Sequence, residues 1–249
     1  NEFKKLGSNI VSSPKKLAQD VDIVITMITA AKDVKQVLFI KNGIVYGKNK
    51  NLIVIDMGTI GPTAAKEIAM MLEKNKVDFI DAPVTGSTPK AKTGELTIFV
   101  GGKKEVYEKI KPVLLAMGKN IHYVGPTGSG QAIKMINNQV IATTIQAVME
   151  GMLLSDAMGL DRKKAAEILK TVPAFSFMMN LKLPNYVENK FPLLFSTANM
   201  KKDLELAYFE MKKGGKNLPV LKKLIEIYKK ATKAGLSHKD FASIIKIID

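Results

Sequence analysis

Residues 21–27 read V-D-I-V-I-T-M, an apolar run with little polar alternation. Short β-branched runs of this kind are expected for strands buried on both faces of a sheet. Comparable runs stand at 51–56, 77–81, 96–100 and 121–124. Between them the apolar period lengthens to that of a helix. Ser13-Pro14 reads as an N-cap followed by proline at the first helical position. Thr29 is placed to cap a helix reaching about residue 39, Pro62 opens one to about residue 74, and 105–117 reads as another. Strands alternating with helices predict a mostly parallel sheet covered on both faces. The 96–100 strand follows a long loop, which leaves it free to run antiparallel.

After Gly125-Pro126 the strand pattern stops. Residues 130–158 predict one long helix, so rich in apolar positions that it must be buried on several sides. Further helices are expected at 162–169, 198–213, from Pro219 to just before Gly235, and at 240–248, where Ser237 and Asp240 resemble a capping box. The chain therefore divides into a dinucleotide-binding-like α/β domain at 1–126 and an all-helical domain at 127–249. The opening is unusual. Residues 1–7 are polar and helix-like, and no G-x-G-x-x-G precedes the first apolar run. A dinucleotide-binding fold begins with strand, glycine-rich turn, helix and strand, so that opening, on the order of 30 residues, is expected to be missing.

Composition narrows the classes. The 249 residues carry a formal net charge of +15, which invites a nucleic-acid reading. Arg162 is the single arginine, and the lysines come in scattered pairs without interleaved aromatics. That pattern suits solvated helix faces and argues against nucleic acid, where arginine usually supplies bidentate contacts. No apolar run approaches the roughly 20 residues of a membrane span. Cysteine is absent, which excludes disulfide and thiolate chemistry and fits a cytoplasmic protein. His122 and His238 stand alone, so no metal-ligand set is visible.

Four segments carry candidate chemistry. D-A-P-V-T-G-S at 81–87 follows a strand, where ligands bind in open α/β sheets. Thr85, Gly86 and Ser87 offer hydroxyls and close backbone approach to a carboxylate, although such clusters also mark ordinary turns. G-S-G-Q-A-I-K-M-I-N-N at 128–138 opens a helix. Lys134, Asn138 and Gln131 share one face of it. Desolvation there would lower the lysine pKa toward proton-transfer range, whereas most helical lysines simply reach solvent. D-M-G-T-I-G-P at 56–62 offers Thr59 and free N–H groups at a strand end. K-K-D-L-E-L-A at 201–207 reads alone as a charged helical turn.

In this order the four segments resemble the β-hydroxyacid dehydrogenase family, over residues from about 8 to the C-terminus. Residues 81–86 resemble its substrate-binding D-A-P-V-S-G motif, with Thr85 for serine. Residues 128–138 resemble its catalytic G-x-G-x-x-x-K-x-x-N-N motif. The resemblance implies a Rossmann-like domain, NAD or NADP as cofactor, and Lys134 and Asn138 as catalytic residues. It implies substrate contacts at Thr85, Gly86 and Ser87, and cofactor contacts at Met27, Ile28, Thr59 and Lys202. It further implies hydride transfer to or from a small anionic hydroxyacid or semialdehyde, and a homodimer or homotetramer. A 3-hydroxyisobutyrate-type substrate, a glyoxylate/succinic semialdehyde or tartronate semialdehyde reductase, and a non-catalytic binding or scaffold protein of the same fold remain open.

Overall fold

The computed structural model describes residues 2–49 and 51–248. Two compact units divide after Lys134. Of the expected helix-like opening, Asn1 lies outside the described residues, and α1 spans Glu2–Lys5. Helix α2 (Pro14–Gln19) is capped by Ser13, whose hydroxyl accepts the Lys16 N–H at 3.3 Å. Strand β1 (Ile23–Thr26), α3 (Ala31–Phe39), β2 (Ile53–Asp56), α4 (Pro62–Lys74) and β3 (Asp78–Asp81) follow. The three strands pair in parallel, with Val24 beside Val54 and Val54 beside Phe79.

Then come β4 (Val84–Thr85), α5 (Ser87–Lys92), β5 (Leu96–Gly102), α6 (Lys104–Leu115) and β6 (Gly118–Gly125). β5 runs antiparallel to β3 and β4 and parallel to β6, so the sheet is mixed. The two-residue side-chain period of β2 feeds two cores. Val54 packs with Val34 and Leu38 of α3 and with Ile68 and Leu72 of α4. Ile55 packs with Ile80, Ile98 and the α6 residues Val106 and Ile110. Each such buried side chain contributes about 1.5–3 kcal/mol.

Three expectations for this unit need correction. β1 stands at the end of the strand order, so Ile25 is 41% exposed where burial on both faces was expected. The N-cap of α3 is Ala30 rather than Thr29. Residues 84–92, read as loop, hold β4 and α5, joined by Gly86 at φ 132° and Ser87 at φ 59°.

Helix α7 (Ser129–Ala157) begins in the first unit and its chain continues into the second. There α8 (Arg162–Leu169), α9 (Phe177–Val187), α10 (Thr197–Lys213) and α11 (Pro219–Lys233) precede a closing 3-10 helix, Phe241–Ile247. Their core gathers Ile145 and Met149 of α7, Leu183 and Tyr186 of α9, Leu204 of α10, and Leu224 and Tyr228 of α11. Helix α9 was not anticipated. The last helix is 3-10 rather than α, and its cap is Asp240 itself, which accepts the Ala242 N–H. Asp240 also accepts N–H groups of Leu194 and Phe195 and pairs with Lys182 at 2.7 Å, both charges being fully buried. No described helix is long and apolar enough to cross a membrane.

Candidate active site

The carboxylate of Asp81 closes β3 and reaches the start of α7. Its Oδ1 accepts the Gly128 N–H at 2.7 Å and its Oδ2 accepts the Gln131 N–H at 2.9 Å. Amides at a helix start lack intrahelical partners, and a carboxylate is a strong acceptor for them. Two glycines permit the approach. A Cβ on Gly101 would stand 2.6 Å from Asp81 Oδ1, and one on Gly130 would stand 2.4 Å from the Phe99 carbonyl oxygen. Burial pushes the Asp81 carboxyl up to about 7, against the pull of the Gly128 and Gln131 amides and with a further push from Asp56.

Gln131, itself fully buried, binds the loop after β2. Its Oε1 accepts the N–H groups of Ile60 and Gly61 at 3.0 and 3.1 Å, and its Nε2 donates to the Gly58 carbonyl at 2.8 Å. This corrects the expectation that the loop presents free N–H groups to a ligand, because those two are taken from within the fold. Thr59 sits half-buried between Gly58 and Ile60. The loop after β1 is equally close: a Cβ on Gly58 would lie 2.3 Å from the Ile28 carbonyl oxygen. Beside β1 lies a cleft of about 410 Å³, lined by Ser12, Ser13, Thr26, Met27 and Ile28 among apolar neighbours. Met27 is exposed there.

Lys134 follows Gln131 by three residues on the same side of α7. It is buried rather than reaching solvent, at 7% exposure. Asn138 comes one turn later, also buried, and its environment is set within the second unit. Its Nδ2 donates to Asp203 Oδ2 at 2.6 Å, and its Oδ1 accepts from Asn137. Lys202, partly exposed, pairs with the other Asp203 oxygen at 2.8 Å. The K-D-L segment thus meets the N-N pair through Asp203, a residue the sequence reading passed over. The readable clue was the stripe Met200, Asp203, Leu204, whose i, i+3, i+4 spacing puts the carboxylate on the buried face of α10.

The remaining residues, Thr85, Gly86 and Ser87, stand on the far side of Pro83 from Asp81. Thr85 pairs with Thr97 of β5, Gly86 is half-buried, and the Ser87 side is exposed. Both Gly86 and Ser87 occupy the left-handed region, which turns the chain sharply at this point. Hydrogen bonds of Asp81 and Gln131 therefore bring three of the four sequence motifs together in the first unit, and Asp203 joins the fourth to Asn138 in the second. His122 stacks on Phe99, and the described residues contain no cluster of three or more metal-ligating side chains.

Residues 1–125 match the family described as the NAD binding domain of 6-phosphogluconate dehydrogenase. Residues 128–248 match the NAD-binding domain of NADP-dependent 3-hydroxyisobutyrate dehydrogenase. A probable mitochondrial 3-hydroxyisobutyrate dehydrogenase of Dictyostelium discoideum is 33% identical over all of this chain and 80% of its own length. The chloroplastic glyoxylate/succinic semialdehyde reductase 2 of Arabidopsis thaliana is 29% identical over 98% of this chain and 68% of its own. The crystal structure of a 3-hydroxyisobutyrate dehydrogenase from Salmonella typhimurium superposes with a TM-score of 0.86, at 27% identity, over 94% of this chain and 82% of that one.

Proposed function

The chain belongs to the β-hydroxyacid dehydrogenase family of NAD(P)-dependent oxidoreductases, and we propose that it moves a hydride between a nicotinamide cofactor and the carbinol carbon of a small β-hydroxyacid. The observation that carries this reading is the hydrogen bonding of Asp81 and Gln131. It gathers the loops after β2 and β3 around the turn of α7 that leads to buried Lys134.

The cleft beside β1 suits part of a dinucleotide. It is a mostly apolar slot with the hydroxyl residues Ser12, Ser13 and Thr26 in its lining. Met27 and Ile28 would line it, with Thr59 on the neighbouring loop as a further contact. The bound nicotinamide supplies the hydride chemistry, and the chain supplies binding, orientation and the proton. Thr85 and Gly86 would hold the substrate carboxylate, with the Ser87 hydroxyl adjacent.

Lys134 Nζ would take the hydroxyl proton during oxidation and return one to the carbonyl oxygen during reduction. Asn138, held by Asp203, would hydrogen-bond to the same oxygen. Within this class the substrate is a 3-hydroxyisobutyrate-like acid. Ser87, in place of a second glycine, favours the semialdehyde reductases as the alternative. A second copy of the chain would cover the exposed α7 stripe of Ile136, Val140, Ala147 and Leu154, which falls within about 40° of the helix circumference at 100° per residue. We propose a homodimer or homotetramer built on that contact.

The test is turnover of a panel of β-hydroxyacids and semialdehydes with NAD and NADP by the wild type and Lys134→Ala. The variant should lose at least ~100-fold in kcat, the low end for a positioned acid/base group. Near-wild-type turnover in that variant would sink the assignment.

A further inference from the structure

We infer that Asp81 and Gln131 are positioning residues for this reaction, a two-point clamp that fixes the rotation of the first turn of α7 and so the placement of Lys134. The inference rests on the proposed role of Lys134. Asp81 holds the backbone of that turn at Gly128 and Gln131. Gln131 holds the loop after β2 at Gly58, Ile60 and Gly61 through its side chain. One attachment would leave the helix free to roll about it, whereas two, aimed at the ends of different strands, do not.

The turn has local means of satisfying its amides. Thr127 and Ser129 are residue types that cap helices. The Gly128 and Gln131 amides are nonetheless bound by a carboxylate 47 positions before Gly128, and Gly101 and Gly130 leave it room. A nonlocal cap of this kind sets where the helix starts relative to the sheet, which a local cap does not. Rotation is what matters for Lys134. A roll of about 10° moves a point 6 Å from the helix axis by about 1 Å. A misplacement of that size is worth on the order of 100-fold in rate. Lys134 lies three residues from Gln131, so its direction follows that of Gln131.

The experiment uses the full chain and two variants, Asp81→Asn and Gln131→Met. Asparagine keeps one acceptor of Asp81 and turns an N–H₂ toward the other amide. Methionine keeps the volume of Gln131 and removes its polar end. Amide hydrogen exchange is read at Ile60, Gly61, Gly128 and Gln131, and kcat and KM are read for both substrates.

Expected are faster exchange at Gly128 and Gln131 in Asp81→Asn and at Ile60 and Gly61 in Gln131→Met. With it, kcat should fall by on the order of 10–100-fold while KM for the hydroxyacid holds. Unchanged exchange overturns the clamp. Faster exchange with kcat unchanged leaves only a structural role and overturns the positioning. If Asp81→Asn does not fold, Gln131→Met decides the matter by the same criteria. A wild type that turns over nothing in the panel sinks the proposed function separately. The exchange at Ile60 and Gly61 then decides the clamp alone, faster exchange supporting it and unchanged exchange overturning it.

Discussion

Removing the Asp203 carboxylate tests whether Asn138 is held for chemistry. Asp203 is buried, accepts from Asn138 Nδ2 at 2.6 Å, and pairs with Lys202 at 2.8 Å. Leucine at 203 removes the acceptor and leaves the Asn138 amide N–H₂ without it. Losing a hydrogen bond to a charged group is worth about 1.5–3 kcal/mol. Lys202 is partly exposed and can turn to solvent, so little is added from its side. If the loss is felt in the transition state, 1.36 kcal/mol per decade gives a drop of about 10–150-fold in kcat/KM.

Asparagine at 203 keeps a neutral acceptor and should lose less, about 5–30-fold, from a difference of about 1–2 kcal/mol between charged and neutral bonds. Steady-state kinetics at saturating cofactor measure both. The decisive comparison is Asp203→Leu in an Asn138→Ala background. If Asp203 acts through Asn138, the second substitution then costs little, a coupling of about 1–3 kcal/mol. Additive losses, or an Asp203→Leu enzyme within about twofold of wild type, would refute the reasoning from charge-assisted bond strength.

Three further outcomes are expected. Lys182→Met breaks a fully buried pair and should cost about 3–5 kcal/mol. In a thermal melt followed by circular dichroism that is a Tm lower by roughly 10 °C, and a shift under about 3 °C would contradict it. The Asp81 carboxyl is raised from its ordinary 3.8 to about 7, so the folded state binds more protons than the unfolded one between those values. Its contribution is fully present below the unfolded pKa and is lost as pH rises through 7, about 4 kcal/mol in all. Urea melts at about pH 5 and pH 8 should therefore show wild type losing stability relative to Asp81→Asn, and a pH-independent difference would count against it. Ser87→Gly relieves a left-handed backbone at φ 59° and should stabilise by roughly 1 kcal/mol. The same change removes a hydroxyl beside Thr85 and Gly86, so KM for the acid should rise, and a KM left unchanged would remove Ser87 from the substrate site.

Much of the frame was legible because its cause is local. The β-branched runs at β1 to β3 and the proline and serine signals at α2 and α4 announce themselves within a few residues. The long apolar stretch of α7 does so as well. What escaped depends on distant partners. Burial of Ile25 turns on whether another strand stands beside β1. The glycine, proline and serine punctuation of 83–89 reads as loop, yet one positive-φ pair lets a two-residue strand and a short helix fit inside it. Pro184 masked α9, and the carboxylate that pairs with buried Lys182 arrives from 58 residues later, so that pair has no local signature. The site divided in the same way. That Lys134 and Asn138 share one face of a helix was legible from their spacing, and their proposed roles came from the family resemblance, whereas the reach of Asp81 to Gly128 and of Gln131 to Gly58 has no trace in local sequence.

Because Lys134 and Asn138 ride on α7, their separation is written into a helix repeat and not into the packing of loops. Length changes are then tolerated very unevenly along the chain. One residue inserted between positions 134 and 138 would turn Asn138 about 100° away from Lys134. An insertion of the same size at the exposed turn around Gly215 would cost little. A scan of single-residue insertions and deletions should show activity lost at these positions of α7 and kept around Gly215.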